Sequence, residues 1–279
     1  MTLMGLGAFP QAHPQSLGFV GMHGTASAYQ AVDKADLIVA IGMRFSDRVT
    51  GRPSAWAPNA KVVHIDVDPS EIGKNIQPYV PIVGDVAQVL PQLIPLIEPC
   101  DFHPWWELIE EWKAEDRERD ILNHDFEELI PPYVINKIWE ATQGEALVVS
   151  DVGQNQMWEA QYYMHKRPRG LATSGGLGTM GYALPAAIGV QVGNPDDLVW
   201  VVAGDGGTQM TINQLGTIAA ERLPVKVAII NNGYLGMVRQ WQEIFYSRRY
   251  SATPITSPDF VKVAEAYHIP GMRVTEKGK

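Results

Sequence analysis

The residues best placed to do chemistry are Asp205 and Asn232, which lie in Gly-Asp-Gly and Asn-Asn motifs. The apolar runs 198–203 (LVWVVA) and 225–230 (VKVAII) end directly before these motifs. Short apolar runs of this kind predict buried strands, and a helical segment between them predicts a right-handed crossover between parallel strands. Both polar side chains are therefore expected at the carboxyl edge of one sheet, where open α/β folds bind their ligands.

This pair of side chains suits a magnesium ion held against a diphosphate. Mg²⁺ prefers octahedral oxygen coordination and shares its shell with substrate phosphates, so a carboxylate and an amide oxygen are fitting protein ligands. Glycines on both sides of Asp205 let backbone N–H groups approach phosphate oxygens without a Cβ in the way. Each motif alone is more typical of an ordinary turn, but the pair at this spacing favours the cation site.

The segment between the two strands predicts a helix that begins near Thr211 and ends before Pro224. Thr211 and Gln214 have the spacing of a capping box, in which two side chains satisfy free backbone N–H groups. Apolar residues then recur at the spacing of a buried helix face. We therefore expect a compact strand–helix–strand unit to carry the two polar side chains.

The composition favours a globular protein with small-molecule ligands. The chain has 279 residues, 46% of them hydrophobic, which is enough for one large or two ordinary domains. A net charge of −9 argues against nucleic-acid and anionic membrane partners, and no apolar run reaches the roughly 20 residues of a membrane span. The single cysteine, Cys100, excludes an internal disulfide and favours a reducing, cytoplasmic location. The histidines show no Cys/His spacing typical of zinc sites.

Along the chain, the patterns predict two α/β domains joined by a helical linker. The first domain, residues 1–100, contains two predicted strands and a helix, at 35–42, 61–67 and 85–97. The linker, residues 101–130, is rich in Trp, Glu, Lys and Arg and has a mostly exposed helical pattern. The second domain, residues 131–279, contains the Gly-Asp-Gly and Asn-Asn motifs.

The first domain also carries polar groups at predicted strand ends. Its strands end near Gly42 and Asp66, which places these residues at a second carboxyl edge. The same rule for open α/β sheets therefore predicts a second, nucleotide-type site in this domain.

The sequences at both ends of the chain are typical of the interior of a domain. Residues 1–7 show no helix cap or strand start, and residues 274–279 stop where a strand pattern has just begun. We therefore expect the sequence to be a piece of a longer protein.

Six motifs stand out along the chain, namely GMHG at 21–24, RFSDRVTG at 44–51, HIDVD at 64–68, GQNQMW at 153–158, GLGTMG at 176–181 and NNGYLGMVRQW at 231–241. Together they resemble the FAD-containing acetohydroxyacid synthases (acetolactate synthase, large catalytic subunit), which are thiamine-diphosphate enzymes. The resemblance spans essentially the whole chain and implies two doubly wound parallel-sheet (Rossmann-like) α/β domains. The family usually has Asp where this chain has Ser46, a departure that still permits a backbone contact to the flavin.

The resemblance implies that Asp205, Asn232 and the main-chain carbonyl of Tyr234 hold Mg²⁺ against thiamine diphosphate. Met180 would lie under the bent cofactor, while Trp241 and Met157 would form the wall of the substrate pocket and favour 2-ketobutyrate by one methyl contact. The further cofactor contacts that it implies are Gln154, Asn155, Gly178, Thr179, Gly206, Gly207, Gly233, Leu235, Gly236 and Met237.

The resemblance also implies a bound FAD without a net redox role, held by the first domain. Its contacts are expected at the loops that follow the strands of that domain. They are Val20, Gly21, Met22, His23, Gly42, Met43, Arg44, Phe45, Ser46, Asp66, Val67, Asp85 and Val86.

The reaction implied by the resemblance joins two 2-ketoacids. Pyruvate is decarboxylated on thiamine diphosphate and its two-carbon unit is transferred to pyruvate or 2-ketobutyrate, giving 2-acetolactate or 2-aceto-2-hydroxybutyrate for branched-chain amino acid synthesis. A glutamate that activates the cofactor would come from an N-terminal pyrimidine-binding domain across a dimer interface, and no residue here matches it. A homodimer or tetramer and a small regulatory subunit are the implied partners.

Three other functions are alternatives to the reaction that the resemblance implies. A cofactor-binding or partner module without activity of its own stays open, while the RFSDRVTG and GMVRQW motifs argue against a related carboligase or pyruvate oxidase. Gly176, Gly178 and Gly181 fit the G-x-G-x-x-G fingerprint of NAD-binding proteins. The acids Asp196 and Asp197 nevertheless precede a strand, whereas a ribose-binding acid must follow one, so NAD binding is disfavoured.

Overall fold

The computed structural model describes residues 1–278, and the chain divides into two compact units. The first unit contains Met1–Leu3 and Leu17–Asn123, and the second contains Met4–Ser16 and the described residues from His124 onward. Each unit is built around one parallel β-sheet with helices between its strands. The α/β fold class with two parallel sheets, predicted from the sequence, is confirmed.

The first unit contains a three-stranded sheet of order β1-β2-β3, in which both strand pairs are parallel. Its elements are β1 (Leu37–Ile41), β2 (Lys61–Asp66), β3 (Val80–Val83), α1 (Ala26–Lys34), α2 (Asp47–Thr50), α3 (Val86–Leu93) and α4 (His103–Arg119). The helix predicted at 85–97 continues beyond α3 only as a 3-10 turn, Ile94–Leu96. Pro95 has no N–H to continue the α-helical hydrogen bonds, which accounts for the change.

Helix α4 is the helix expected between the two domains, and it packs against α1 within the first unit. The carboxylate of Asp116 accepts a hydrogen bond from the N–H of Ser27 at 2.9 Å. The hydroxyl of Thr25 accepts a second one from the N–H of Ala28 at 3.4 Å. Free N–H groups at the start of α1 are thus satisfied partly by a residue from the far end of the unit.

The second unit contains a four-stranded parallel sheet of order β5-β4-β6-β7. Its strands are β4 (Leu147–Ser150), β5 (Leu171–Thr173), β6 (Val199–Gly204) and β7 (Lys226–Ile230). Its helices are α5 (Pro131–Thr142), α6 (Gln154–Tyr162), α7 (Ala183–Gly193), α8 (Asp205–Met210), α9 (Leu215–Ala220), α10 (Gly236–Phe245) and α11 (Phe260–Ala266). The two strands predicted around the Gly-Asp-Gly motif are β6 and β7, and they pair in parallel as expected.

The core of the second unit lies on both faces of β4 and β6. One cluster joins residues such as Val149 and Val201 to Leu184 of α7, and the other joins Val148 and Val202 to α5. Strands covered on both faces read as continuous apolar runs, which is why β6 was predictable from the run 198–203. Within residues 1–278, no helix combines the length and the apolar character needed to cross a membrane.

The predicted capping box at Thr211 and Gln214 is wrong. Residues Ile212–Gln214 form a 3-10 turn that leads into α9, and Thr211, at the N-cap of this turn, makes no side-chain capping bond. The hydroxyl of Thr211 instead donates to the carbonyl of Gly181 at 3.0 Å. A tertiary hydrogen bond to a neighbouring loop has therefore replaced the local cap that the spacing indicated.

Candidate functional site

A cavity of about 200 Å³ lies at the carboxyl edge of the second sheet, where β4, β6 and β7 end. The predicted residues that line it are Gln154, Asn155, Gly178, Met180, Asp205, Gly206, Gly207, Asn232, Tyr234, Leu235, Gly236, Met237 and Trp241. The predicted residues Met157, Thr179 and Gly233 are not among its lining residues. The cavity is also lined by residues that were not predicted as contacts, namely Val152, Gly153, Trp158, Gly204, Ile230 and Val238.

Asp205 is the first residue of α8 and follows β6 directly, and its side chain is only 1% exposed. Its Oδ2 atom accepts a hydrogen bond from the N–H of Gly233 at 3.1 Å and another from the hydroxyl of Ser257 at 2.7 Å. A buried carboxylate needs such partners, because an unpaired charge is costly to bury. The two bonds orient the carboxylate towards the loop that follows β7.

Asn232 begins that loop and has its amide oriented by neighbours. Its Oδ1 atom accepts from the N–H of Tyr234 at 3.0 Å, and its Nδ2 atom donates to Oε1 of Gln154 at 3.5 Å. Because Asp205 is bonded to Gly233, the residue next to Asn232, the two predicted ligands belong to one connected loop pair. The two residues follow adjacent parallel strands and so lie at one strand edge, while their joint binding of a ligand stays a prediction.

The donor set at the cavity suits a hard cation such as Mg²⁺. It offers a buried carboxylate, an amide and backbone carbonyls, all of which are oxygen donors. In the described chain, no group of three or more His, Cys, Asp or Glu side chains is placed to hold a metal ion. A single carboxylate with an amide and carbonyl oxygens suits an ion such as Mg²⁺, which shares its coordination shell with phosphate oxygens.

Glycines bring the backbone close to the cavity. A Cβ atom at Gly207 would come within 2.6 Å of Oδ1 of Asp151, and one at Gly206 within 3.0 Å of a Leu235 methyl group. A Cβ atom at Gly236 would collide with Gln154. Gly207 therefore requires glycine, because the Asp151 carboxylate is held in place by backbone hydrogen bonds, whereas Gly206 and Gly236 face the ends of flexible side chains.

The apolar part of the cavity comes from Met180, Trp158 and Trp241. The Cε atom of Met180 lies 3.4 Å from where a Cβ of Gly206 would stand, so this side chain is next to the glycines of α8. Trp241 on α10 is 39% exposed, and Trp158 projects from α6. Half-exposed aromatic side chains beside a polar strand edge are typical of a ligand pocket.

Sequence reasoning missed two side chains that support the site, Asp151 and Ser257. Asp151 follows the apolar residues of β4, in the same way that Asp205 follows β6, so the rule that found Asp205 could have found it. Ser257 contacts Asp205 from 52 residues away, and no local pattern indicates such a contact.

The residues predicted to bind FAD lie in the first unit, mostly in loops that follow its strands. Gly42–Ser46 follow β1, Asp66 is the last residue of β2 and Val67 follows it, and Asp85 caps the start of α3 at Val86 after β3. Parallel strands end at a common edge, so these three loops share the carboxyl edge of the first sheet. The loop 20–23 is tied to the same region by a bond from the N–H of Met22 to the carbonyl of Arg48 at 2.7 Å.

Several of these side chains already have structural roles. Phe45 is 2% exposed and packs edge-on against Trp56 and His64, so only its backbone is available to a ligand. The carboxylate of Asp85 caps α3 by accepting from the N–H of Ala87. Burial lowers the pKa of His23 below its ordinary value, against a smaller raising effect of a backbone hydrogen bond with Met22.

Comparisons with known protein families match both units. Residues 1–93 match the family model described as the thiamine pyrophosphate enzyme central domain. Residues 151–279 match the C-terminal TPP binding domain of thiamine pyrophosphate enzymes, and this match includes every residue that lines the cavity. The chain belongs to the thiamine pyrophosphate enzyme family.

Individual relatives show which thiamine pyrophosphate enzymes this chain resembles. The chain is 48% identical to an acetolactate synthase of Mycobacterium leprae, over 98% of this chain and 45% of that protein. It is 47% identical to the acetolactate synthase isozyme 3 large subunit of Escherichia coli, over 98% of this chain and 49% of that protein. A rice protein named acetolactate synthase 1, chloroplastic, is 47% identical over the whole chain and 45% of its own length.

This member of the thiamine pyrophosphate enzyme family is thus a homologue of the acetolactate synthase large subunits. The resemblance inferred from the six motifs is confirmed, and the match of residues 151–279 to a TPP binding domain supports thiamine diphosphate as a cofactor of this family. The chain spans about half the length of the curated relatives that it matches.

Proposed function

We propose that the cavity binds the diphosphate of thiamine diphosphate together with Mg²⁺. The carrying observation is the buried Asp205 carboxylate at a glycine-lined strand edge, hydrogen-bonded to the loop that contains Asn232 and Tyr234. Asp205, Asn232 and the main-chain carbonyl of Tyr234 would hold the metal. The N–H groups of Gly206 and Gly207 and the loop 233–237 would contact the phosphates.

The reaction that we propose for the complete enzyme is the acetolactate synthase reaction. Pyruvate condenses with a second pyruvate or with 2-ketobutyrate, and bound thiamine diphosphate supplies the electron sink for the decarboxylation. Met180, with Gly178 and Thr179 in the same loop, would support the cofactor in its reactive conformation. Trp241 would form the wall of the substrate pocket and select between second substrates by about 1–3 kcal/mol per methylene.

For Met157 we propose a supporting place on α6 rather than substrate contact. Its neighbour Trp158 lines the cavity, whereas Met157 does not. Gln154 and Asn155 begin the same helix and line the cavity, so α6 would contribute cofactor contacts mainly through its first turn.

We propose that the first unit binds FAD at the carboxyl edge of its sheet. The supporting observation is that the segments 42–46, 66–67 and 85–86 lie at the carboxyl ends of three adjacent parallel strands, the usual place for a nucleotide. Gly42 has a φ of +61° and no atom within 4 Å of a Cβ position, so the backbone there is open to a ligand. Asp66 would offer its carboxylate, which is already oriented by the N–H of Asp68.

Catalysis would require more than this chain provides. We propose that a glutamate from a pyrimidine-binding domain activates the cofactor across a homodimer or tetramer interface. The name of the E. coli relative contains the words large subunit, which supports a small regulatory subunit as a further partner. A cytoplasmic location is also a proposal, and it is supported by the single cysteine.

The second candidate function is a cofactor-binding module without activity of its own. It is favoured by the fact that the chain spans about half the length of its relatives.

Calorimetry of thiamine diphosphate binding, with and without Mg²⁺, tests the proposed site. We expect Mg²⁺-dependent binding by the unmodified chain and a loss of at least about 100-fold in affinity for Asp205→Ala, because a metal ligand is removed. Asp196→Ala is the matched control, since Asp196 is an exposed acid outside the cavity lining. Equal affinity of the Asp205→Ala and Asp196→Ala variants would refute the metal site.

The second candidate function is tested by an acetolactate assay on the purified chain with pyruvate, Mg²⁺ and thiamine diphosphate. Turnover without any added polypeptide excludes a module that only binds the cofactor. The chain could instead bind the cofactor without turnover and become active when the pyrimidine-domain half of a relative is added. This result supports our proposal that the chain binds the cofactor and that a pyrimidine-binding domain supplies the activating glutamate.

A further inference from the structure

A second buried carboxylate, that of Asp151, lies beneath the cavity and has no part in the proposed metal site. Asp151 follows β4 and is 1% exposed. Its Oδ1 atom accepts hydrogen bonds from the N–H groups of Val152 at 2.7 Å and Gly181 at 2.9 Å. Its Oδ2 atom accepts one from the N–H of Ala183 at 3.1 Å. One carboxylate thus receives three backbone hydrogen bonds.

These bonds join segments that are far apart in sequence. Gly181 follows Met180 in the loop that lines the cavity, and Ala183 is the first residue of α7. The backbone of Asp151 is itself fixed, because its N–H donates to the carbonyl of Val202 in β6 at 2.8 Å. The carbonyl of Asp151 accepts from the amide of Asn155 at 2.7 Å. The carboxylate is therefore held rigidly while it holds the Met180 loop.

The same carboxylate also limits the position of α8. Gly207 lies so close to it that a Cβ atom there would come within 2.6 Å of Oδ1. Gly207 lines the cavity at the start of α8, two residues after Asp205. Asp151 therefore contacts two parts of the pocket. One is Gly181, which is next to Met180, and the other is Gly207.

We propose that Asp151 is a positioning residue, which sets the Met180 loop and the glycines of α8 at the spacing that thiamine diphosphate requires. This inference rests on the proposed function, since it concerns the same pocket. An ionised carboxylate is an acceptor only, and hydrogen bonds to it are roughly twice as strong as neutral ones. An amide in its place would turn an N–H₂ group towards at least one of the backbone donors, so the loop would shift.

The test is calorimetric titration of Asp151→Asn with thiamine diphosphate and Mg²⁺. We expect a folded protein whose affinity is weaker by about tenfold or more, because a charged acceptor is lost from the support of the pocket. The matched control is Gln191→Ala. Gln191 is buried and donates to the carbonyls of Asn194 and Asp197, each at 3.1 Å, without lining the cavity. A merely structural role for Asp151 predicts lower stability in both variants but unchanged affinity.

The outcomes separate this inference from the proposed function. If the unmodified chain does not bind thiamine diphosphate, the proposed function fails. If it binds and Asp151→Asn binds equally well, only the positioning role is overturned.

Hydrogen exchange in the unmodified chain tests the same inference without relying on a variant that folds. The N–H groups of Gly181 and Ala183 should exchange slowly before any cofactor is added, because Asp151 already holds them. Exchange at the rate of an exposed loop, with protection appearing only after thiamine diphosphate is added, would overturn the positioning role.

Discussion

The two parallel sheets are built from similar apolar strands, yet they differ in how much of each strand is covered. All four residues of β4 in the second sheet are buried, whereas in β1 of the first sheet Leu37, Val39 and Ile41 are 54%, 47% and 46% exposed. Helices cover both faces of the second sheet, and a cavity forms at its carboxyl edge. The loops around this cavity are thereby anchored to a rigid core, which favours a pocket of fixed dimensions.

The same difference appears in the buried histidines. In the second unit, Nε2 of His165 is 2.8 Å from Oε1 of Glu159, and both side chains are at most 1% exposed. In the first unit, Nε2 of His64 is 3.8 Å from Oδ2 of Asp66, and neither ring nitrogen of His64 has a hydrogen-bond partner among the described residues. One histidine therefore completes a polar pair, while the other is packed largely as an aromatic ring beside Phe45.

The largest expected effect comes from making the same substitution in both units. His165→Phe should destabilise the protein by about 3–5 kcal/mol, because it leaves the buried Glu159 without its partner. His64→Phe should change stability by less than about 1 kcal/mol, because no hydrogen bond is lost and the ring still packs on Phe45. Urea unfolding followed by circular dichroism measures both variants, and equal losses would show that the two histidines do not differ in role.

A smaller effect is expected at the serines that contact aspartates in each unit. Ser257→Ala should raise the Mg²⁺ concentration needed for half-maximal thiamine diphosphate binding by about 10–100-fold, because a partner that orients a metal ligand is lost. Ser257→Thr keeps the hydroxyl and should retain binding. Ser70→Ala is the matched control, since Ser70 contacts the exposed Asp68 in the first unit. The same Mg²⁺ requirement in the Ser257→Ala and Ser70→Ala proteins would contradict the role of Ser257.

The sequence predicted the parts of the fold that depend on local patterns. Strand β6 was predictable because it is covered on both faces, and β7 because its apolar run is partly buried on both; Asp205 was predictable because it follows β6. Ser257 could not be predicted, because it reaches Asp205 across 52 residues. Thr211 was misread for the same physical reason, since its hydroxyl contacts a loop 30 residues away instead of its own helix. The spacing of residues along the chain predicts only hydrogen bonds between near neighbours. The hydrogen bonds that support this site mostly join residues that are far apart in the sequence.

The smallest expected effect is a pH dependence that belongs to the first unit. Burial lowers the pKa of His23 below its ordinary value of 6.5, so the unfolded chain binds this proton more readily than the folded one. The stability that results is fully present above about pH 6.5 and is lost as the pH falls through the folded pKa. His23→Gln should therefore reduce the loss of stability between about pH 7.5 and pH 5 by less than about 1 kcal/mol. Urea midpoints across this range measure the difference, and identical slopes for the two proteins would show that His23 does not contribute. A reduced slope confined to the unfolding of the first unit would assign this pH sensitivity to that unit.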